Sequence, residues 1–595
     1  MKKILFFVVV FASFVSCNKL DQEPQSSTSE LGVFSSEKGV QLYVNSFYNN
    51  LPSGNDIVRA DNMADYAART DVPSFISETG FTAAQGSGWS WSALRNINYF
   101  IEHNTSPAVP ENIRVNYTAT ARFFRALFYF DKVVRFGNVP WYSKPIDVAD
   151  TVLLKKPRDP RVLVMDSVLA DLNFACEKIT TSDNTRSLIT KNVALAYKSR
   201  ICLFEGTFRK YHDSVGGAAE GLLPTANKWL TEAVDAAQKV MTGGGFTIST
   251  AGGVNSAYRQ LFISKLPVTT EVILSNVSDQ TLNVLNDANW YWTSATYGSR
   301  LSFTRTFVNT YLKIDGTPFT NEAGYQTKLF VDEVKNRDTR LQQTIRMGNY
   351  VRLNGGTPEP APPVFSYTYT GYQPIKWTLD DIYFDGGTRN DNSIALMRYA
   401  EVLLNFAEAK AEMGTLTDAD WAKTVGVLRA RGGITGGLNT KPVVIDQYLK
   451  SNYFPLINDA SVLEIRRERG IELSWEGQRF NDLLRWKRGE LLTMKWNGFY
   501  VPALNTAMDL NGDGKNDVLF YQGTAPAAQA GVTFINVSDK LANGNTNPQR
   551  LSNGTSGEIT WLNNVNRKWE YRKYLYPIPQ ADLLMNPALG QNAGW

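Results

Sequence analysis

The sequence predicts a mainly α fold, a scaffold of helical pairs at roughly tetratricopeptide spacing that carries an irregular, loop-rich subdomain with short strands. Three observations predict it. Stretches of the first half repeat apolar residues at the three-and-four spacing of a helix with one buried face. Residues 243–390 then turn rich in Gly, Thr, Asn, Tyr and Pro, with only brief strand-like runs. Helical spacing returns between residues 394 and 488 with no linker in between, so middle and tail are expected to pack on one scaffold.

The elements follow in order. Lys2 and Lys3 precede an apolar run from Ile4 to Val15 and then Ser16-Cys17. This reads as a secretory signal peptide over 1–16, cut before Cys17, which would carry lipid. A run of about 12 residues is too short to cross a bilayer. Residues 17–35, rich in Ser, Gln and Glu, read as a flexible tether, with one domain over 36–595. Its helical scaffold is assigned to about 36–242 and 391–490, and its loop-rich part to about 243–390 and 491–575.

Tyr117–Phe136 places Ala119, Phe123, Ala126, Leu127, Phe130, Val133 and Val134 on one face, and Gly137-Asn138-Val139-Pro140 stops it. Asp159-Pro160 opens a helix running to Ile179. Asn192–Phe208 and Ala226–Met241 follow, the latter ended by Gly243-Gly244-Gly245. In the middle, Val272-Ile273-Leu274 reads as a strand. Helices are expected again at Ile394–Met413, Trp421–Arg431 and Ser461–Trp475, with a further piece to about Arg488.

Composition narrows the function. Of 595 residues, 43% are hydrophobic and 20% charged, and the net charge is +4 without a long basic run, which argues against nucleic-acid binding. Cys176 and Cys202 lie in apolar helical stretches and read as buried free thiols. The two histidines, His103 and His212, end helical stretches among polar neighbours and read as surface residues. That removes zinc sites and most histidine-based catalysis. No Gly-x-Ser-x-Gly, His-Glu-x-x-His or phosphate loop occurs. Glu468, Glu472, Glu476, Arg469, Arg479 and Arg485 lie at helical spacings and read as an ion-pair network tying helices together. Guanidiniums beside them would keep the carboxylates ionised, so a glycosidase pair is not expected.

Aromatics stand out, with 14 Trp, 27 Tyr and 31 Phe. Sugar rings offer apolar C–H faces rimmed by hydroxyls, which flat rings and amides match. The best local match is Asn286-Asp287-Ala288-Asn289-Trp290-Tyr291-Trp292, continuing to Tyr297. Asn289, Trp290, Tyr291, Trp292 and Tyr297 are candidate ligand residues, because three adjacent aromatics cannot all be buried on one side of a strand. The alternative is that Trp290 and Trp292 plug the subdomain core. In Gly86-Ser87-Gly88-Trp89-Ser90-Trp91, Trp89 reads as exposed and Trp91 as core. Tyr367-Thr368-Tyr369-Thr370-Gly371-Tyr372 is a third candidate loop. Separately, Asp509, Asn511, Asp513 and Asp517 occupy positions one, three, five and nine of a calcium-type loop, with Gly514 at six. Phe520 stands where the full motif has a bidentate Glu. Structural Ca²⁺ and a metal-free Asx turn are the two readings.

Several segments together resemble one family. They are Ala121-Arg122-Phe123-Phe124-Arg125-Ala126-Leu127-Phe128-Tyr129-Phe130-Asp131 followed by Arg135-Phe136-Gly137-Asn138-Val139-Pro140, Leu396-Met397-Arg398-Tyr399-Ala400-Glu401, Glu468-Arg469-Gly470-Ile471-Glu472-Leu473, Glu476-Gly477-Gln478-Arg479, Asp482-Leu483-Leu484-Arg485-Trp486, Tyr576-Pro577-Ile578-Pro579, Asn586-Pro587 and Gln591-Asn592. In this order, after a lipoprotein-type start, they resemble the SusD/RagB family of outer-membrane lipoproteins. The resemblance implies a tetratricopeptide-like scaffold, a lipid-anchored place at the cell surface, and a SusC-like TonB-dependent β-barrel partner. The implied task is capture of glycans, or alternatively of peptides, for import, with no catalysis. No family motif places ligand residues at particular positions here.

Overall fold

A computed structural model describes residues 30–78, 80–147, 149–213, 221–296 and 298–595. The predicted signal peptide, Cys17 and the tether up to residue 29 lie outside the described residues, as does Tyr297. The last part of the expected tether is structured. Glu30–Phe34 is helical, and Phe34 is buried against Tyr43, Tyr99 and Phe100. Phe34 gives this segment its apolar burial, and Val33 packs against the same core.

The scaffold helices are α1 (Ser92–His103), α2 (Glu111–Phe136), α3 (Arg161–Lys178), α4 (Lys191–His212), α5 (Ala226–Gly243), α6 (Tyr399–Glu412) and α7 (Ala460–Glu472). Each packs on the next, and α6 also leans on α4, so the sequence's helix pairs become a continuous stack. On α2 the expected stripe faces the core, with Ala119, Phe123, Ala126 and Val133 fully buried. Gly137 ends it at a φ of 74°. A side chain there would also meet Leu575 at 2.9 Å, so glycine is required twice over. Thr190 caps α4 by accepting from the Val193 N–H. Cys176 and Cys202 are buried free thiols, and burial pushes the Cys176 thiol up to about 12.

Two expectations are corrected. Ile394–Arg398 is a strand, β2, paired antiparallel with β1 (Val272–Asn276), and the helix starts only at Tyr399. All five residues of β2 are buried, so no polar face distinguishes strand from helix in the sequence. His212 is fully buried rather than superficial. Its Nε2 lies 2.7 Å from the Leu484 carbonyl, its ring stacks on Phe208 at 4.1 Å, and burial pushes its pKa down to about 3.

Helix α7 carries the ion network the sequence predicts, with partners drawn from distant segments. Arg340 donates to Glu468 at 2.5 Å and to Glu472 at 3.0 Å. Arg398 reaches Glu271, Glu472 and Glu476 at 2.6–2.9 Å. Arg431 pairs with Glu271 and Glu472. Arg469 and Arg485 both hold Asp482, and Arg479 clasps Asp65 through two bonds of 2.7 and 2.8 Å. Despite the cost of burial, Arg431, Arg398 and Arg340 hold the Glu472 carboxyl far below the usual range. These pairs rivet the middle of the chain to the scaffold. The tail adds a three-stranded antiparallel sheet with Gly557–Trp561 between Gln549–Leu551 and Trp496–Val501. The last residues then close on α2: the Asn592 amide donates to the carbonyls of Phe136 at 3.0 Å and Tyr576 at 2.7 Å, and Arg158 donates to Asn592 Oδ1 at 2.6 Å.

Candidate ligand surface

The aromatic segment folds as a short helix, Ala288–Thr293. Successive residues of a helix point about 100° apart, so two of three neighbouring rings turn inward. Trp292 is buried, donates its indole N–H to the Val58 carbonyl at 3.0 Å, and packs edge-on against Trp475 at 5.6 Å. Tyr291 is buried under Arg59, whose guanidinium sits 4.4 Å over the ring and pairs with Asp287 at 2.6 Å. Asn289 is fully buried. Its Nδ2 donates to the Leu379 carbonyl at 2.9 Å and Asp385 at 3.0 Å. Its Oδ1 accepts from the Leu379 N–H and from Asn390, both at 2.7 Å. An amide so engaged has no hydrogen bond left for a ligand. Of the described predicted residues in this segment, Trp290 alone stays half-buried.

A turn over Ile382–Asp385 packs against this helix. Asp381 caps it, accepting from the Tyr383 N–H at 2.8 Å. Arg352 grips Asp385 through two bonds of 2.7 and 2.8 Å. The turn thrusts out Tyr383, which is 61% exposed. The Arg389 guanidinium lies 4.9 Å from its ring centre and donates to its carbonyl at 3.1 Å. Tyr383, with Asp381 and Arg389 beside it, combines ring surface with charged hydrogen-bonding groups on a rigid base, and half-buried Trp290 lies on the helix against which this turn packs. Sequence reasoning missed Tyr383. The available signal was Tyr383-Phe384 directly before Asp385-Gly386-Gly387, an aromatic pair at the lip of a turn.

The other candidates lie elsewhere. Trp89 is the more buried of its pair, at 8% exposure, while Trp91 is only half-buried. This reverses the expectation, because the Trp89 ring wedges edge-on between Phe136 at 4.9 Å and Trp91 at 5.3 Å. In the 367–372 loop, Tyr369 is buried and stacked on Trp561 at 3.7 Å, and buried Tyr372 donates to Glu333 at 2.6 Å. In the 509–517 loop, Asp509 accepts from the backbone N–H groups of Asn511, Gly512 and Gly514 at 2.6–3.1 Å. Asp517 accepts from Leu510 at 2.7 Å, and its pKa is raised by burial and by the Asp509 and Asp513 carboxylates nearby. Phe520 is core. Among the described residues no group of three or more His, Cys, Asp or Glu is disposed to hold a metal ion.

Comparison with known proteins now places the chain. A model of the SusD family matches residues 270–595. The chain belongs to the SusD family. The SusD-like protein P2 of Formosa agariphila is 22% identical over 519 residues, covering 82% of this chain and 92% of that protein. A SusD-like protein from Bacteroides fragilis superposes with a TM-score of 0.67 at 20% identity, covering 96% of this chain and all (100%) of that one. A SusD-like carbohydrate binding protein from the same species gives 0.66 at 18% identity, over 94% and 99% of the two chains. At these identities the structures show the shared fold, the tetratricopeptide-like SusD scaffold with its loop-rich face. Among the described residues of this SusD-family protein no helix is long and apolar enough to cross a membrane.

Proposed function

We propose that this SusD-family protein is a non-enzymatic glycan receptor of the outer membrane, lipid-anchored through Cys17, which binds oligo- or polysaccharide at the Trp290–Tyr383 surface and passes it to a SusC-like TonB-dependent transporter. Family membership and the carbohydrate-binding relative from B. fragilis support the ligand class. The observation that carries the site is Tyr383, an exposed ring on a turn braced from behind by Arg352 and Asp385. A sugar face laid on such a ring excludes water from it, while carboxylates and guanidinium at the edge meet the hydroxyls.

Calorimetric titration against a panel of polysaccharides and a peptide digest tests this. Saturable binding to one glycan class is expected, weakened about tenfold in Tyr383→Ala and in Trp290→Ala, the loss of one central ring contact. Binding to peptides alone would remove the glycan reading. Glycan binding untouched by both variants would move the site off this surface.

The 509–517 loop is proposed to take structural Ca²⁺, resting on its spacing and on the carboxylates gathered near Asp517. Added Ca²⁺ should raise Tm, chelator should lower it, and Asp509→Ala should abolish the difference. An unchanged Tm makes the loop a self-capped turn.

A further inference from the structure

Two donors lie buried and unanswered beneath one short loop. Residues 344–346 run antiparallel to 373–375. Ile345 bridges Pro374, the Arg346 N–H donates to the Gln373 carbonyl at 2.9 Å, and the Ile375 N–H donates to the Thr344 carbonyl at 2.7 Å. Arg346 and Gln373 are therefore directly opposite, with side chains on the same face and Cβ atoms about 5 Å apart. The loop at Pro362–Val364 covers that face. Its Pro362 carbonyl accepts from Arg346 Nη1 at 3.4 Å, and its Val364 N–H donates to Gln373 Oε1 at 2.9 Å.

Each side chain keeps a donor to spare. The Val364 bond fixes which end of the Gln373 amide is oxygen, because the flipped amide would set N–H against N–H. Gln373 Nε2 is thus a donor, buried without a hydrogen-bond acceptor among the described residues, and Arg346 Nε is in the same state. The two residues are 1% and 4% exposed.

Charge selects what answers them. Arg346 forms no ion pair among the described residues, and the 3.4 Å bond to Pro362 is long for a guanidinium. The carboxylates of this neighbourhood are engaged: Asp385 by Arg352 and Asn289, Asp380 by Arg259 and Tyr350. Arg259 and Arg352 each have an acid, so this corner of the fold carries one positive charge in excess. Burial pushes the Arg346 pKa down, and neither Tyr350 nor Asp385 offsets it. A buried guanidinium without a counter-charge is costly. Water would take the two N–H groups and leave the charge standing, whereas one anion meets both needs. A face this closed is open to an ion and shut to a sugar ring.

We propose that Arg346 and Gln373 form a halide site, in which one chloride ion accepts the Arg346 Nε and Gln373 Nε2 protons and ties the 362–364 loop to the 344–346 and 373–375 segments. The Tyr350 ring lies 5.8 Å from the Arg346 guanidinium, and Tyr350 holds Asp380 directly before the turn that carries Tyr383. Bound halide would thus stiffen the footing of that turn. The site stands whatever the turn binds.

The test compares the full-length protein in sodium chloride, sodium bromide and sodium gluconate at equal ionic strength. Halide should raise Tm above its value in gluconate by about 1 °C at a concentration tenfold over Kd. Bromide soaked into crystals should give an anomalous peak between Arg346 and Gln373. Gln373→Glu retains an oxygen for Val364 and supplies the missing negative charge from within, so in gluconate it should melt above wild type and show no halide response. Arg346→Met should lose the response as well. Equal melting of wild type in the three salts, protection by gluconate in place of halide, or a halide response that survives both variants would overturn the proposal. Bromide peaks elsewhere with none at this pair would do the same.

Discussion

Trp290 and Trp292 stand two positions apart and have different duties. Trp292 is core, hydrogen-bonded to Val58 and packed on Trp475, so Trp292→Ala should cost about 3–5 kcal/mol of stability, whereas Trp290→Ala should cost much less. Urea unfolding of the two variants reads the difference directly, and similar losses would contradict the assignment. A binding defect in Trp292→Ala therefore says nothing about ligand contact. Composition put both residues in the candidate set. The phase of a six-residue helix decides between them, and neither composition nor spacing carries that phase when the neighbours are Asn, Asp and Tyr. Tyr383 was illegible for a related reason: its exposure follows from a turn clamped by Arg352, thirty-one positions upstream. His212 makes a pH prediction. Burial lowers its pKa to about 3 from an ordinary 6.5, so the unfolded chain takes the proton first. Its contribution to stability is present above about pH 6.5 and is lost as pH falls towards 3. Asp61, raised by burial to about 6, runs the opposite way: its contribution is full below about pH 4 and is lost as pH rises through 6. His212→Gln should thus shrink the fall in Tm between pH 7 and pH 5 relative to wild type, with the Asp61 part unaltered. An equal fall in both proteins would show that the buried imidazole has no share in it.

At the scale of elements, α7 is the least conventional helix. Glu464, Arg466, Arg467, Glu468, Arg469 and Glu472 are all buried, so it has no solvent face and its hydrophobic pattern is faint. The sequence still disclosed it, because carboxylates and guanidiniums recur at helical spacing, and the structure pairs those groups with residues from Arg340 to Asp482. Removing one partner of a buried pair leaves an uncompensated charge. Glu472→Gln strands Arg340, Arg398 and Arg431 around a neutral amide and should destabilise by about 3–5 kcal/mol, measurable as a lower denaturation midpoint at unchanged m. A loss under about 1 kcal/mol would mean that water or Glu271 takes over the pairing. Strand β2 shows where such reading ends. Five buried residues without a polar face fit helix or strand equally, and only the partner strand β1, more than a hundred residues away, resolves the choice.

Across the whole molecule the chain is closed by its end. Asn592 binds the carbonyl that terminates α2, and Arg158 holds Leu589 and Asn592 from the approach to α3. Deleting residues 586–595 should lower Tm and speed tryptic cleavage between α2 and α3; unchanged melting would show the latch to be idle. The same feature imposes an order in time. Helices α2 and α3 leave the ribosome hundreds of residues before Asn592 exists, and β1 likewise waits for β2. The early helices therefore spend most of synthesis as an open stack with apolar edges uncovered. Closure therefore waits until Asn592 has been made, and the chain short of that point is the form of this protein most in need of a chaperone.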